Sequence, residues 1–457
     1  MGFEQNLTEG KITKQLLKFS IPFLLSNFLQ AMYSVSDTLV VSWFAGPNTV
    51  SGVSIGGQIT MLTLNFAIGF TIGGTVLVSQ FFGANQRQEL SKTIGTMFST
   101  LAILAAVITA IVIAFAKPIL RLVDTPPESF QEAYRYLVIC MCGTVFTFGY
   151  NAVAAILRGM GDSKNPLFFV LIAGVVNTLL DLPFVGIFGW GAAGDAASTI
   201  LAQALSLVMA VIYLKSKNFV FDFKPANFRI DTSRLKQILK IGLPTSLQHV
   251  VVGVSFLVMM TLVNKFGVNA SAACGIVGKF NGFAILPAIA MSSSVSSMAA
   301  QNIGAGKLDR ASATMRTGIL LALPIGALFC AIAYFFPQAI MALFTKEPEV
   351  IANGIAYIRY ISFEYLLAPV LFCIGGLLTG SGMTTFTMIN GMLSSVLLRV
   401  PLAYLFGIVM GMELTGIGMA APAATIGAVI TAFIFYKTGA WKKKRLIGQP
   451  VLYDDDF

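Results

Sequence analysis

Apolar residues follow one another along this chain in long stretches separated by short polar segments, and the length of those stretches sets the first expectation. About 20 predominantly apolar residues span the hydrocarbon of a bilayer as a helix. Such stretches recur at about 15–43, 51–80, 93–117, 131–157, 164–187, 192–214, 238–265, 271–300, 313–337, 355–379, 384–410 and 415–437. They predict an all-α membrane protein with twelve transmembrane helices, several interrupted by Gly or Pro, sitting as a multi-pass protein in the cytoplasmic membrane.

The pattern repeats. Lys18-Phe19-Ser20-Ile21-Pro22 near the start of the first span matches Lys240-Ile241-Gly242-Leu243-Pro244 at the start of the seventh. Ser79-Gln80-Phe81-Phe82-Gly83-Ala84 closes the second span as Ala300-Gln301-Asn302-Ile303-Gly304-Ala305 closes the eighth. Gly159 and Gly161 end the fourth, Gly380 and Gly382 the tenth, and Asp181-Leu182-Pro183 is echoed by Arg399-Val400-Pro401. The landmarks imply two six-helix lobes: an N-lobe over 1–214, a polar cytoplasmic linker over 215–237, a C-lobe over 238–437 and a cytoplasmic tail over 438–457. Six is even, so both copies enter the membrane from one side, and pseudo-two-fold symmetry along the membrane normal is expected to relate them.

Composition agrees with this class. Only 11% of residues are charged and 56% are apolar, where a soluble domain carries about 25% charged. Lys11, Lys14 and Lys18 precede the first span, Arg87 and Lys92 follow the second, Arg158 and Lys164 flank the fourth-to-fifth turn, and Lys215 to Lys240 fill the longest loop. Lys442, Lys443, Lys444 and Arg445 follow the last span. The alternate loops 44–50, 188–191 and 411–414 carry no basic residue, although Lys117, Arg121, Lys265 and Lys346 fall on that side. The positive-inside bias therefore places both termini in the cytoplasm. The net charge of +10 is accounted for by basic loops facing anionic membrane lipid, and no nucleic-acid partner is implied. Cys140, Cys142, Cys274, Cys330 and Cys373 all lie within spans, as apolar filler and not as a disulfide or metal set. The first apolar run is long enough to span and lacks a small-residue cleavage site, so it is not read as a signal peptide. Asp454-Asp455-Asp456 reads as a solvated acidic tail.

Ionisable residues inside the spans carry the functional argument, because each costs several kcal/mol on some scales. Gln30, Tyr33, Ser34 and Asp37 stand at i, i+3, i+4 and i+7, one polar face on an apolar segment. Asp37 lies in the outer part of the first span by count, Asp181 in the outer part of the fifth with Asn177 one turn before it, and Thr199 at matching depth in the sixth. Two carboxylates close together in low dielectric cannot both stay ionised cheaply, so a proton is held or a cation such as Na⁺ sits between them. Asn and Thr oxygens complete a hard-cation shell or hydrogen-bond the protonated acid. The bland alternative, that both acids merely cap or pair with nearby polar groups, lacks an Arg or Lys at this depth in the first half. In the other half Glu364 and Arg399 share a depth, and an ion pair is their simplest account; a second titrating site or a contact for an anionic substrate is the alternative. Residues 244–264 of the seventh span hold no acid and offer Gln248 and His249 in its place, with His249, near the cytoplasmic end, read as a hydrogen-bonded helix residue rather than a proton relay.

Asp37-Thr38, the Arg158-Gly159-x-Gly161-Asp162 turn, Asn177-x-x-x-Asp181-x-Pro183, the Gly194 to Thr199 start of the sixth span and the Arg399-x-Pro401 echo together resemble the multidrug and toxic compound extrusion (MATE) transporters over essentially the whole chain. The resemblance implies an antiporter that expels organic solutes, cationic or amphipathic, in exchange for H⁺ or Na⁺ by alternating access. In the branch similar to the DNA-damage-inducible F proteins, an N-lobe Asp, Asn, Asp and Thr hold the cation. The matching positions are Asp37, Asn177, Asp181 and Thr199, and Pro22 matches the proline at which the first span bends. The second-lobe acid that marks the NorM-like branch in the seventh span is absent over 244–264. No cofactor is implied beyond the coupling ion, and a monomer is expected.

A flippase for lipid-linked saccharides shares the architecture and is the alternative, but it would want several basic residues for a pyrophosphate, and Arg399 stands nearly alone. No metalloprotease, nucleophile-elbow or phosphate-loop motif supports an enzyme. At equivalent positions Asp37 faces Met259 and Asp181 faces Arg399, so equal scaffolds carry unequal chemistry.

Overall fold

The computed structural model describes residues 4–217, 219–443 and 446–447. Lys444, Arg445 and Asp454-Asp455-Asp456 lie outside the described residues. The described chain is all helical. It runs through α1 (Ile12–Phe44), α2 (Gly46–Gly83), α3 (Arg87–Ala114), α4 (Ala116–Leu122), α5 (Pro127–Cys142), α6 (Thr144–Gly159), α7 (Lys164–Asp181) and α8 (Gly191–Lys215). After the linker come α9 (Thr232–Asn264), α10 (Val268–Gly304), α11 (Leu308–Phe335), α12 (Pro337–Ala342), α13 (Pro348–Ile361), α14 (Glu364–Gly380), α15 (Thr384–Met392), α16 (Arg399–Tyr404), α17 (Glu413–Lys437) and α18 (Ala440–Lys443).

Among the described residues nine helices are long and apolar enough to cross a membrane, and eleven spans result if each of two bent pairs is counted as one. The pairs are α5 with α6, bent by 49°, and α13 with α14, bent by 43°. Both copies thus break the same span at the same place. α1 is 33 residues long but is not in that set; its run of Ser26, Asn27, Gln30, Tyr33, Ser34, Asp37 and Thr38 lowers its hydropathy. It continues helical through the buried Pro22.

The described chain divides into two compact units, with seams between Asn6 and Leu7, between Leu24 and Leu25 and between Leu243 and Pro244. Of the described residues, unit 1 takes 4–6 and Leu25–Leu243, and unit 2 takes Leu7–Leu24 and those from Pro244 to 447. The second and third seams fall inside helices within two residues of a proline, Pro22 in α1 and Pro244 in α9.

Unit 1 is built around α2, which packs on α3, α5, α6 and α8. Gly52 and Gly56, four apart, let it approach α5: an added Cβ at Gly52 would lie 2.7 Å from Glu132 Cβ, and one at Gly56 would lie 2.6 Å from the Tyr136 ring. Close packing of small residues replaces the hydrophobic drive that lipid does not supply between helices. Farther along α2, a Cβ on Gly73 would lie 2.5 Å from the Ile238 carbonyl oxygen, and one on Gly242 would lie 2.7 Å from that of Gly69. Unit 2 repeats the plan around α10, which packs on α11, α13 and α14. The Gly-x-Gly landmarks have a common cause, since Gly161 and Gly382 both sit at positive φ (+87° and +82°) where a side chain is strained.

The linker is less polar than its charges imply. Phe221, 2% exposed, meets Phe98 of α3 and Phe228 with ring centroids 5.9 and 5.3 Å apart. The Asp231 N–H donates to Thr96 Oγ1 (3.0 Å), and Arg234 pairs with Glu89. Four phenylalanines, at 219, 221, 223 and 228, spread among the lysines, form this anchor.

Candidate functional site

The polar residues singled out in the first half converge within unit 1. On α1, one helical face brings Tyr33, Ser34 and Asp37 to a cavity of about 440 Å³. Ser54, Gly57, Gln58 and Met61 of α2, Tyr136 of α5 and Thr199 of α8 complete much of its wall. Gln30 is exposed and is not among the lining residues.

Asn177 and Asp181 come from the end of α7, both fully buried. The segment that follows, Leu182–Ile187, is a π-helix in which the Phe188 N–H reaches back to the Pro183 carbonyl (2.8 Å). Pro183 has no N–H to offer, so the ordinary ladder cannot continue and the turn widens directly after Asp181. On the other side, α8 is held by Glu132 of α5, whose Oε2 accepts from the Ala192 N–H (3.0 Å) at the α8 N-terminus. A carboxylate there satisfies an orphan donor and complements the helix dipole. That contact sets the phase of α8 and points Asp195, Ser198 and Thr199 inward.

The resulting cluster contains one more acid than the sequence reading gathered. Asp37, Asp181 and Asp195 each offer a carboxylate oxygen, and the three atoms lie within 4.8 Å of one another. Asp195 is 0% exposed, and among the described residues no hydrogen-bond donor reaches either of its oxygens, nor Oδ1 of Asp37. Around them, Tyr33 donates to Thr199 Oγ1 (3.4 Å). With its amide turned so that both ends are satisfied, Asn177 donates to Asp181 Oδ2 (3.3 Å) and accepts from Thr199 Oγ1 (3.3 Å). The Ser198 hydroxyl lies against both the Asp181 carboxylate and the Asp195 carbonyl, and its single hydrogen can serve only one of them at a time.

Three carboxylates without a facing cation cannot all remain ionised in a buried pocket. The cluster can hold monovalent cation, as protons on the carboxyls or as Na⁺ among carboxylate, Asn and Thr oxygens, the ligand type hard cations prefer. Asp37, Asn177, Asp181 and Thr199 are thus gathered at one place. Asp195 stands in the Gly-rich Gly189-Trp190-Gly191-Ala192-Ala193-Gly194 approach, where in the sequence an acid looks like a boundary residue. Its spacing of four from Thr199 puts both on one helical face and was the available signal.

In unit 2 the equivalent region is differently furnished. Arg399 pairs with Glu364, with side chains 12% and 10% exposed, and Thr425 donates to the same Glu364 oxygen (3.2 Å). The Arg399 guanidinium also lies over the Phe256 ring at 5.8 Å. His249 is exposed on α9.

Comparison with known proteins supplies the remaining finding. The MatE family model matches residues 22–182 and 244–405, once in each half. The chain is 30% identical over 441 residues to the probable multidrug resistance protein YpnP of Bacillus subtilis, covering 96% of this chain and 98% of that one. It is 24% identical over 446 residues to the probable multidrug resistance protein NorM of Thermotoga maritima, covering 96% and 95%. Among solved structures, a crystal structure of MATE in the bent conformation matches with a TM-score of 0.91 at 21% identity, covering 97% of this chain and 99% of that one.

Proposed function

Because the chain belongs to the MatE family of membrane transporters, we propose that it is a cation-coupled exporter, exchanging inward-moving H⁺ or Na⁺ for outward-moving organic solutes by alternating access. As a member of that family it is a multi-pass protein of the cell membrane and not an enzyme. The observation that carries the proposal is the trio of half-buried Asp37 and buried Asp181 and Asp195, beside a cavity with no basic side chain in its wall among the described residues. Clustered acids of which two, Asp37 and Asp195, keep carboxylate oxygens without a donor among the described residues are retained where something positive comes and goes.

In this reading Asp37, Asp181 and Asp195 bind the cation, Asn177 and Thr199 complete its shell, and Ser198 adjusts its single hydrogen bond as the charge changes. Exchange requires that cation and solute each favour a different state of the protein. A cation arriving from outside favours release of the solute, and solute arriving from the cytoplasm favours loss of the cation. Val41, Val50, Val53 and Tyr136 give the cavity an apolar side beside its acids, a combination suited to amphipathic aromatic solutes. The multidrug names of the relatives agree with that chemistry. A pyrophosphate-handling flippase finds less support, since Arg399 is already committed to Glu364.

Ethidium efflux from proteoliposomes under imposed pH or Na⁺ gradients tests the proposal. Asp37→Asn and Asp181→Asn should each abolish gradient-driven efflux without affecting membrane insertion. Unchanged efflux in both variants would overturn it.

A further inference from the structure

The repeat allows the cavity wall of unit 1 to be read across, position by position, onto unit 2. Gln80 and Gln301 fix an offset of 221 residues between α2 and α10, and the two helices have equivalent neighbours, α3, α5 and α6 in one unit and α11, α13 and α14 in the other. The α2 residues Ser54, Gly57, Gln58 and Met61 line the unit 1 cavity. At that offset they become Gly275, Gly278, Lys279 and Gly282. All four are exposed, and a Cβ added to any of the three glycines would meet nothing within 4 Å. The opposite face of α10 is closed, with Ala273, Val277 and Ala284 buried in a cluster with Tyr365.

The face that is a polar wall in unit 1 is therefore cut back to glycine in unit 2, and a lysine stands in the space. Lys279 lies about 17 Å along α10 from its first residue at 1.5 Å per residue, three turns from that end and inside the apolar stretch at about 271–300. Among the described residues it has no ion pair, hydrogen bond or aromatic partner. Glu364, the acid within the spans of this unit, is taken by Arg399 and Thr425. A cation placed within an apolar span at such expense marks a contact for something of opposite charge.

We propose that Lys279, on the glycine-cleared face of α10, is a substrate-recognition residue that binds an anionic group, so that the exported solutes include amphipathic molecules bearing a carboxylate or phosphate. This rests on the exporter reading and deepens it: the acids of unit 1 serve the coupling cation, and Lys279 of unit 2 serves the substrate. An anionic lipid headgroup offers the same chemistry as an anionic solute, and the test separates the two.

Rhodamine B, which carries a free carboxylate, and its ethyl ester, which does not, are otherwise matched probes. Binding to the purified full-length protein in a neutral detergent, followed by fluorescence polarisation, should favour rhodamine B in the wild type. Lys279→Gln should weaken rhodamine B binding by roughly ten- to hundredfold, as for loss of a hydrogen bond to a charged group, and leave the ester within about twofold on the same footing. Lys279→Arg should retain most of the preference. No preference in the wild type, or an equal effect of Lys279→Gln on both probes, overturns the proposal, and the wild-type measurement decides even if a variant fails to fold. In phosphatidylcholine vesicles the effect on transport should persist. Its appearance only when phosphatidylglycerol is added would assign Lys279 to lipid and overturn the substrate role. The binding arm needs no gradient, so a failure of Asp37→Asn to abolish driven efflux would refute the coupling site without touching this result.

Discussion

Replacing Asp195 with Asn tests the composition of the cation site most directly, because the amide keeps the shape of the side chain and removes only its charge. The three carboxylate oxygens lie within 4.8 Å of one another, and at an effective dielectric of 20 two unit charges at that distance interact by about 3.5 kcal/mol. A cation held among them loses an attraction of this order when one of the three is neutralised. Partial solvation through the open cavity reduces it. At about 1.4 kcal/mol per factor of ten, the coupling-cation concentration for half-maximal exchange should rise roughly ten- to three-hundredfold. The assay is dye efflux from proteoliposomes at fixed dye, with external H⁺ varied at constant Na⁺ and then Na⁺ at constant pH. The shift should appear on the axis of whichever ion couples, with the maximal rate largely kept, since Asp37 and Asp181 remain. Curves for Asp195→Asn that superimpose on the wild type along both axes would refute the reasoning and return the site to two acids.

Three further outcomes follow from the packing. Arg399→Met leaves Glu364 buried with Thr425 as its remaining recorded donor and should cost about 3–5 kcal/mol, while Glu364→Gln combined with Arg399→Met should recover most of that loss; thermal unfolding in detergent measures both. Gly73→Val, with its Cβ 2.5 Å from the Ile238 carbonyl oxygen, should lower the unfolding temperature sharply or prevent assembly, whereas Gly253→Ala, which meets nothing within 4 Å, should be tolerated. Phe221→Ala empties the centre of the aromatic anchor on α3 and should cost about 3–5 kcal/mol locally, read as faster proteolysis of the linker at an unchanged transport rate.

What could be read from the sequence followed from how costly a residue is where it stands. Asp37 and Asp181 interrupt long apolar runs, and in such runs an acid announces itself. Their convergence with Asn177 and Thr199 was legible because depth can be counted along helices of fixed rise. Asp195 escaped because its cost is hidden: flanking glycines make its segment look like a loop, and only the Glu132 contact at the start of α8 shows that the helix is already under way. The linker misled in the opposite sense, its lysines masking an aromatic anchor. The seams inside α1 and α9 leave no composition signal beyond a proline, and prolines occur inside other helices without a seam, as at Pro287 in α10 and Pro324 in α11. Comparing the halves is what makes the hidden positions speak. Asp195 stands where the second copy has Ile417, buried in its core, and Gln58 stands where it has Lys279. A duplicated scaffold holds backbone and packing constant, so a charge present in one copy and absent from the other is not demanded by the fold. By that criterion Asp37, Asp195 and Lys279 belong together, negative in one unit and positive in the other, and variants that exchange residues across the repeat, Asp195→Ile and Lys279→Gln, should change transport far more than they change folding.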